Sequence, residues 1–217
     1  MGGRGQRSNN ASGGITVGTD KIEFTGDLRY YDNDSNFTQE QRTAIDTFEN
    51  KRVKGKVEYG TAIASDGTVI GEKRGGKGSV STPKWWERDG AIFSHIHPRE
   101  EGLLGGTFSL GDINVFANGK YGTMRASAKE GTYSMSKLSN FDGEGLKQYA
   151  RQLNVEMDRK ADVAYKACAK AIKDGTKYED ALKQYYKEIN TAFTEWHDGY
   201  KAGESKYGYY YTLEKRK

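Results

Sequence analysis

Gly90-Ala91-Ile92-Phe93-Ser94-His95-Ile96-His97-Pro98 joins a short apolar run to two histidines one residue apart. The run over 90–94 is too short for a helix and reads as a buried strand that ends in the histidines. On a strand, residues two apart face the same side. Both imidazoles therefore point into one space, as two ligands of one metal ion must. Pro98 lacks a backbone N–H and ends the ladder. Downstream, Ser109 is a good N-cap, and Ile113, Val115 and Phe116 predict a short helix near 110–118. That helix start places Asp112 to supply a carboxylate oxygen. Two imidazoles and one carboxylate leave the fourth position of a zinc ion for water, the mark of a catalytic rather than a structural site.

Upstream of this run, Val57, Tyr59, Thr61 and Ile63 alternate with small or polar residues and read as a strand. Ser65-Asp66-Gly67 is turn chemistry and Thr68-Val69-Ile70 restarts a strand, so the two form a hairpin. Thr38-Gln39-Glu40-Gln41 is a capping-box signature, and Ala44, Ile45 and Phe48 fall at helical spacing, which predicts a helix over 39–52. Arg74-Gly75-Gly76-Lys77-Gly78 lacks the Gly-Lys-Ser/Thr ending and the following helix of a phosphate cradle, and reads as a flexible loop. Trp85 and Trp86 precede the histidine strand. As strand neighbours they would face opposite sides, one in the core and one packed on the C-terminal helices.

Downstream, residues 121–127 and 132–135 read as a second hairpin. Past Asn140 the pattern turns from period two to period 3.6. It predicts a helix over 143–173, a turn at Asp174-Gly175, and a second helix from the capping box Thr176-Lys177-Tyr178-Glu179 to about 199, together an αα-hairpin. Tyr207-Gly208-Tyr209-Tyr210-Tyr211 beside Lys215-Arg216-Lys217 reads as a short edge strand with a solvated end, in preference to a base-stacking surface. His197, between Trp196 and Asp198, reads as a surface or interface residue. Residues 1–14 are Gly, Ser, Asn and Arg and read as a disordered leader; a short strand is expected at 21–24. The division that follows is 1–14, an N-terminal segment 15–53 with one helix, a metal domain 54–138, and a helical region with its tail 139–217.

Composition narrows the function classes. The single cysteine, Cys168, excludes an intrachain disulfide framework and a Cys-rich zinc knuckle, and reads as a small core residue on a helix. No apolar run approaches the roughly 20 residues of a membrane span, and no signal-peptide pattern is present, so a cytoplasmic location is the expectation. The net charge of +4 neither demands nor excludes nucleic acid, and Glu100 and Glu101 beside the histidines argue against it.

The order His95-Ile96-His97-Pro98, a Gly-containing loop, then Ser109-Leu110-Gly111-Asp112-Ile113 resembles the signature of the JAMM/MPN zinc isopeptidase family, in its RadC-like and phage-encoded branch. The upstream order also fits: Glu58 at a strand start, Asp66-Gly67, Val69-Ile70, Glu72, a Gly-rich loop, then the strand into His95. The resemblance covers about residues 54–136. It implies a JAMM/MPN-like (cytidine-deaminase-like) α/β fold, a curved sheet flanked by helices, here followed by the C-terminal helical hairpin. It implies zinc held by His95, His97 and Asp112, with Ser109 stabilising the tetrahedral intermediate. Glu58 would carry the proton of the zinc-bound water, with Glu72 as the alternative. The chain departs from the family in the 14 residues between His97 and Asp112, a longer loop in which Glu100 or Glu101 competes as a ligand. The implied activity is hydrolysis of peptide or isopeptide bonds, with a protein substrate such as a ubiquitin-like conjugate. The alternatives are a non-catalytic interaction module in phage assembly or counter-defence, or a RadC-like nucleic-acid-associated protein. The leader Met1-Gly2-Gly3-Arg4-Gly5 resembles the start of small phage-encoded proteins, which implies the host cytoplasm or the virion.

Overall fold

The computed structural model describes residues 28–31, 37–98 and 103–215. The leader 1–14, the strand expected at 21–24, and Glu100 and Glu101 lie outside the described residues. Six strands form one sheet in the order β2-β1-β3-β4-β5-β6. They are β1 (Tyr59–Ile63), β2 (Val69–Arg74), β3 (Ile92–Ile96), β4 (Thr123–Ser127), β5 (Gly131–Lys137) and β6 (Tyr209–Lys215). Only β3 and β4 run parallel, and α2 (Leu110–Asn118) lies in the connection between them. A parallel pair needs such a crossover.

Helix α1 (Gln39–Arg52) begins where its capping box predicts. The Thr38 hydroxyl accepts from the Gln41 N–H, and the Gln41 side chain accepts from the Thr38 N–H. Its buried residues Gln41, Ile45, Phe48 and Glu49 recur at helical spacing, and Ile45 packs with Ile63 and Ile92 on one face of the sheet. Alternation along β3 sends Phe93 to the other face, into the main core with Phe108, Ile113, Phe116, Met124 and Tyr133. Burying a side chain the size of Ile113 or Phe116 contributes about 1.5–3 kcal/mol each, so this second face holds most of the apolar stabilisation.

Helix α3 (Gly143–Lys173) packs against α2 and against α4 (Tyr178–Ala202). The turn between α3 and α4 departs from the sequence reading. The N-cap of α4 is Lys177, with no side-chain cap, not Thr176. The Thr176 N–H bonds Ala171 O and the Gly175 N–H bonds Ile172 O, the pair of bonds that closes a Schellman motif. Gly175 takes the left-handed φ of 93° that this motif requires. Thr176 thus finishes α3 and is unavailable to start α4.

The tail forms β6, an edge strand paired with β5 in register from Gly131↔Lys215 to Lys137↔Tyr209. Tyr200, Tyr207, Tyr209, Tyr211 and Leu213 join the same core cluster as Phe93 and Ile113. Trp85 and Trp86 sit on a single 3-10 turn, Lys84–Trp86, rather than on a strand. Trp86 is buried against Gly71, where any Cβ would lie 2.6 Å from its indole nitrogen, and Trp85 is 62% exposed instead of packed on the C-terminal helices. His197 is buried, not on the surface, because α4 turns the face carrying Tyr200 toward β6. Cys168 is half-buried on α3 rather than in the core; burial raises its pKa, with Glu188 adding to the shift. Among the described residues, no helix is long and apolar enough to cross a membrane.

Candidate metal centre

β3 delivers His95 and the residue beyond its end, His97, to one face of the sheet. Both are buried. Phe93, two residues before His95, stacks on its ring at 5.2 Å and 8°, so the His95 imidazole has a flat wall behind it. The backbone stays extended past β3, because the His97 N–H bonds Ser127 O at 2.8 Å. Asp112 arrives from the first turn of α2. Ser109 is the N-cap, its hydroxyl accepts from the Asp112 N–H at 3.2 Å, and the Ser109 N–H donates to Asp112 Oδ2 at 2.8 Å. The capping box that starts the helix therefore also orients the carboxylate.

The three side chains converge. His95 Nε2 lies 3.0 Å from His97 Nε2 and 3.2 Å from Asp112 Oδ1, and His97 Nε2 lies 3.6 Å from Asp112 Oδ2. Ligand atoms about 2.0–2.1 Å from a tetrahedral zinc ion stand roughly 3.3–3.4 Å from one another. The two distances from His95 Nε2, 3.0 and 3.2 Å, are close to that spacing, and one ligand atom from each of the three residues lies within 4.8 Å of the others. The proton positions fit as well. A carbonyl only accepts, so the contact of His97 Nδ1 with Gly106 O at 3.0 Å makes Nδ1 the donor and leaves the Nε2 lone pair facing the triangle. Asp112 Oδ2 takes the Ser109 hydroxyl proton at 2.7 Å as well as the Ser109 N–H, which leaves Oδ1 for the cluster. Burial raises the Asp112 pKa, but the neighbouring His95 first, and His97 after it, outweigh burial and hold the carboxyl well below its ordinary value. The group His95, His97 and Asp112 can hold a metal ion.

Glu58 is buried just ahead of β1. Gly60 pairs with His95 in an antiparallel register, and Glu58, two residues before Gly60, follows that residue's face by strand alternation. Its backbone is tied on the far side, N–H to Gly76 O at 2.7 Å and O from the Gly75 N–H at 2.8 Å. Gly75 and Gly76 are therefore an ordered continuation of the β1–β2 ladder. Glu72 is a different case. It pairs with Thr61, which pairs with Ser94, so it lies on the opposite face and bonds Arg52 of α1 at 2.6 Å. The structure does not bring Glu72 to the histidines.

The loop ahead of Ser109 is held from three sides that sequence reasoning missed. The Leu104 N–H donates to the Asn190 side chain of α4 at 2.9 Å. Glu130, in the β4–β5 turn, accepts from the Gly105 N–H at 3.0 Å and the Gly106 N–H at 3.2 Å. Burial raises the Glu130 pKa, against those N–H bonds, which lower it. Tyr200 of α4 donates to Phe108 O at 3.2 Å. Thr107 shares a hydrogen bond of 2.5 Å with Tyr211, which meets His197 Nδ1 at 2.8 Å, while His197 Nε2 meets Arg29 O at 2.8 Å. Burial lowers the His197 pKa; the Arg29 carbonyl only accepts, so Nε2 donates to it, and Nδ1 faces the Tyr211 hydroxyl. The signal for His197 was present in the spacing Ile189, Phe193, Trp196, His197, Tyr200, one face of a helix. Compared with known proteins, the chain matches no family model, no curated protein and no solved structure.

Proposed function

We propose that this chain is a zinc-dependent hydrolase of the JAMM/MPN type, cleaving peptide or isopeptide bonds in a protein substrate such as a ubiquitin-like conjugate. The observation that carries the proposal is the convergence of His95 Nε2, His97 Nε2 and an Asp112 carboxylate oxygen, one ligand atom from each residue within 4.8 Å of the others. The finer fold reading, a JAMM/MPN-like sheet followed by a helical hairpin, belongs to the same proposal. It is supported by the chain order Glu58, His95-Ile96-His97-Pro98, Ser109-Leu110-Gly111-Asp112. A phage or prophage origin rests on the leader resemblance alone.

When bound, zinc supplies Lewis acidity, lowering the pKa of water to about 7 and polarising a carbonyl. The chain supplies the rest. His97, fixed by Gly106 O, and His95, backed by Phe93, present ring nitrogens. Ser109 turns Asp112 so that one oxygen faces them. Glu58 takes a proton from the attacking water and returns it to the leaving amine, so that water and amide become acid and amine. The Ser109 hydroxyl proton is committed to Asp112 in this arrangement, so a role for Ser109 on an oxyanion requires the hydroxyl to turn away from that partner. The same commitment favours the second reading, a non-catalytic module in which the cluster only orders the loop.

Glu58→Gln separates the two. Gln keeps size and hydrogen bonding but cannot accept the proton. The expected outcome is full zinc content with turnover of a screened amide or isopeptide substrate lowered by about a hundred- to ten-thousand-fold. Turnover at the wild-type rate would move the role to another group. Absence of any amide cleavage by the zinc-loaded wild type, across a panel of peptide and ubiquitin-like substrates, would favour the module.

A further inference from the structure

We propose that Glu130 is a positioning residue for His97, acting through the backbone of Gly105 and Gly106. The chain of contacts is short. Glu130 Oε2 accepts from the Gly105 N–H and Oε1 from the Gly106 N–H, at 3.0 and 3.2 Å. Tyr133 donates its hydroxyl to Oε1 at 2.8 Å. Gly106 O then accepts from His97 Nδ1–H at 3.0 Å. Two consecutive N–H groups aimed at one carboxylate form a backbone anion nest, and here the anion belongs to the protein.

The two glycines make the anchor necessary. Gly106 has a φ of 77°, where a side chain is strained, and a Cβ on Gly105 would lie 2.4 Å from the Ala128 Cβ. The backbone can follow this path only as Gly-Gly, the pair with the most conformational freedom to lose. Without a partner for its N–H groups, the segment can rotate its carbonyl away from His97. A free imidazole in water favours the proton on Nε2, the atom that faces Asp112. The Gly106 carbonyl reverses that preference by taking the Nδ1 proton, and Glu130 keeps the carbonyl in place. The carboxylate sits in the turn between β4 and β5, which the sheet fixes on both sides. The sheet thereby sets the imidazole through a glycine dipeptide.

The test uses the full chain, free of metal, with nitrogen-15 histidine, and long-range proton–nitrogen correlation spectra of His97 at neutral pH. In the wild type His97 carries its proton on Nδ1. In Glu130→Ala the signal moves toward the Nε2–H form, and affinity for zinc alone, measured by chelator competition, weakens by about 10- to 100-fold. Tyr133→Phe shifts both in the same direction by less. A purely structural role for Glu130 would lower the melting temperature and leave the tautomer alone. If Glu130→Ala does not fold, Glu130→Gln carries the test, since its amide offers one oxygen where two N–H groups need acceptors. His97 remaining Nδ1–H, with zinc affinity within about twofold of wild type, in a folded Glu130 variant overturns the proposal. The affinity measurement rests on the zinc reading above, whereas the tautomer does not. A wild type that takes no zinc but shows the tautomer shift supports the positioning role and removes only the metal reading.

Discussion

Two buried polar clusters lie on opposite faces of the sheet, and neighbouring residues of β3 serve them. Ser94 points toward α1 and donates to Glu49 at 2.9 Å; His95 points the other way, to His97 and Asp112. On the α1 face, Arg125 of β4 donates to Glu49 at 2.8 Å and to Glu214 of β6 at 2.8 Å, and Thr132 donates to Glu49 at 3.1 Å. Burial raises the Glu49 pKa, but the Arg125 charge outweighs it and the carboxyl ends below its ordinary value. Burial likewise lowers the Arg125 pKa, and Glu49 and Glu214 more than reverse it. Here the cation is part of the chain, held between two carboxylates. In the other cluster, two imidazole nitrogens and a carboxylate oxygen converge, all of them able to ligate, and the fixed His97 tautomer aims a lone pair at the others. The first cluster closes on itself and ties α1, β4 and β6 together. The second is a group that could hold a metal ion.

That contrast is broken most forcefully at Arg125. Arg125→Met should cost about 3–5 kcal/mol, because it strands the buried Glu49 carboxylate. Chemical denaturation of the metal-free protein measures it. Asp112→Ala in the same assay should cost less, because the Ser109 cap that starts α2 survives and no buried charge is left without a partner. Equal losses at the two sites would erase the distinction between a structural and a ligating cluster.

His197 sharpens the comparison, since it is a third buried polar group whose hydrogen bonds close internally, yet it is uncharged. Its folded pKa lies below its ordinary value of 6.5 because burial disfavours the imidazolium. The unfolded chain therefore binds more protons once pH drops below 6.5. Stability from this group is present above that pH and is lost as pH falls through the folded pKa, with a slope approaching about 1.4 kcal/mol per pH unit. Thermal melts between neutral and mildly acidic pH should show this decline in the wild type and a flatter profile in His197→Phe. An identical slope in both proteins would assign the decline to another group.

Much of this architecture was legible because local chemistry and tertiary structure agree. The Thr38–Gln41 capping box, the Ser109 N-cap and the two hairpins form where their residues predict, and the buried strand expected at 90–94 forms two residues later, at Ile92–Ile96. The second capping box failed because the Schellman bonds of α3 claim Thr176 first. The same-face histidines were legible from period-two alternation, and the helix-start aspartate from its N-cap. The supports were not. Glu130 and Asn190 act on a loop distant in sequence, and nothing local marks either as its anchor. Arg125 alternates with Met124 and Ala126 as a solvent-facing strand residue would, yet Glu49 of α1, Glu214 of β6 and the Phe37 ring close over it.

The proposed function requires His95, His97 and Asp112 to hold one zinc ion together. Elemental analysis of the full chain after equilibration with zinc and removal of excess, for wild type and Asp112→Ala side by side, tests it most directly. One zinc per chain is expected in the wild type and almost none in Asp112→Ala, with both proteins folded. A wild type that emerges without zinc, or an Asp112→Ala protein that keeps its full complement, would contradict it.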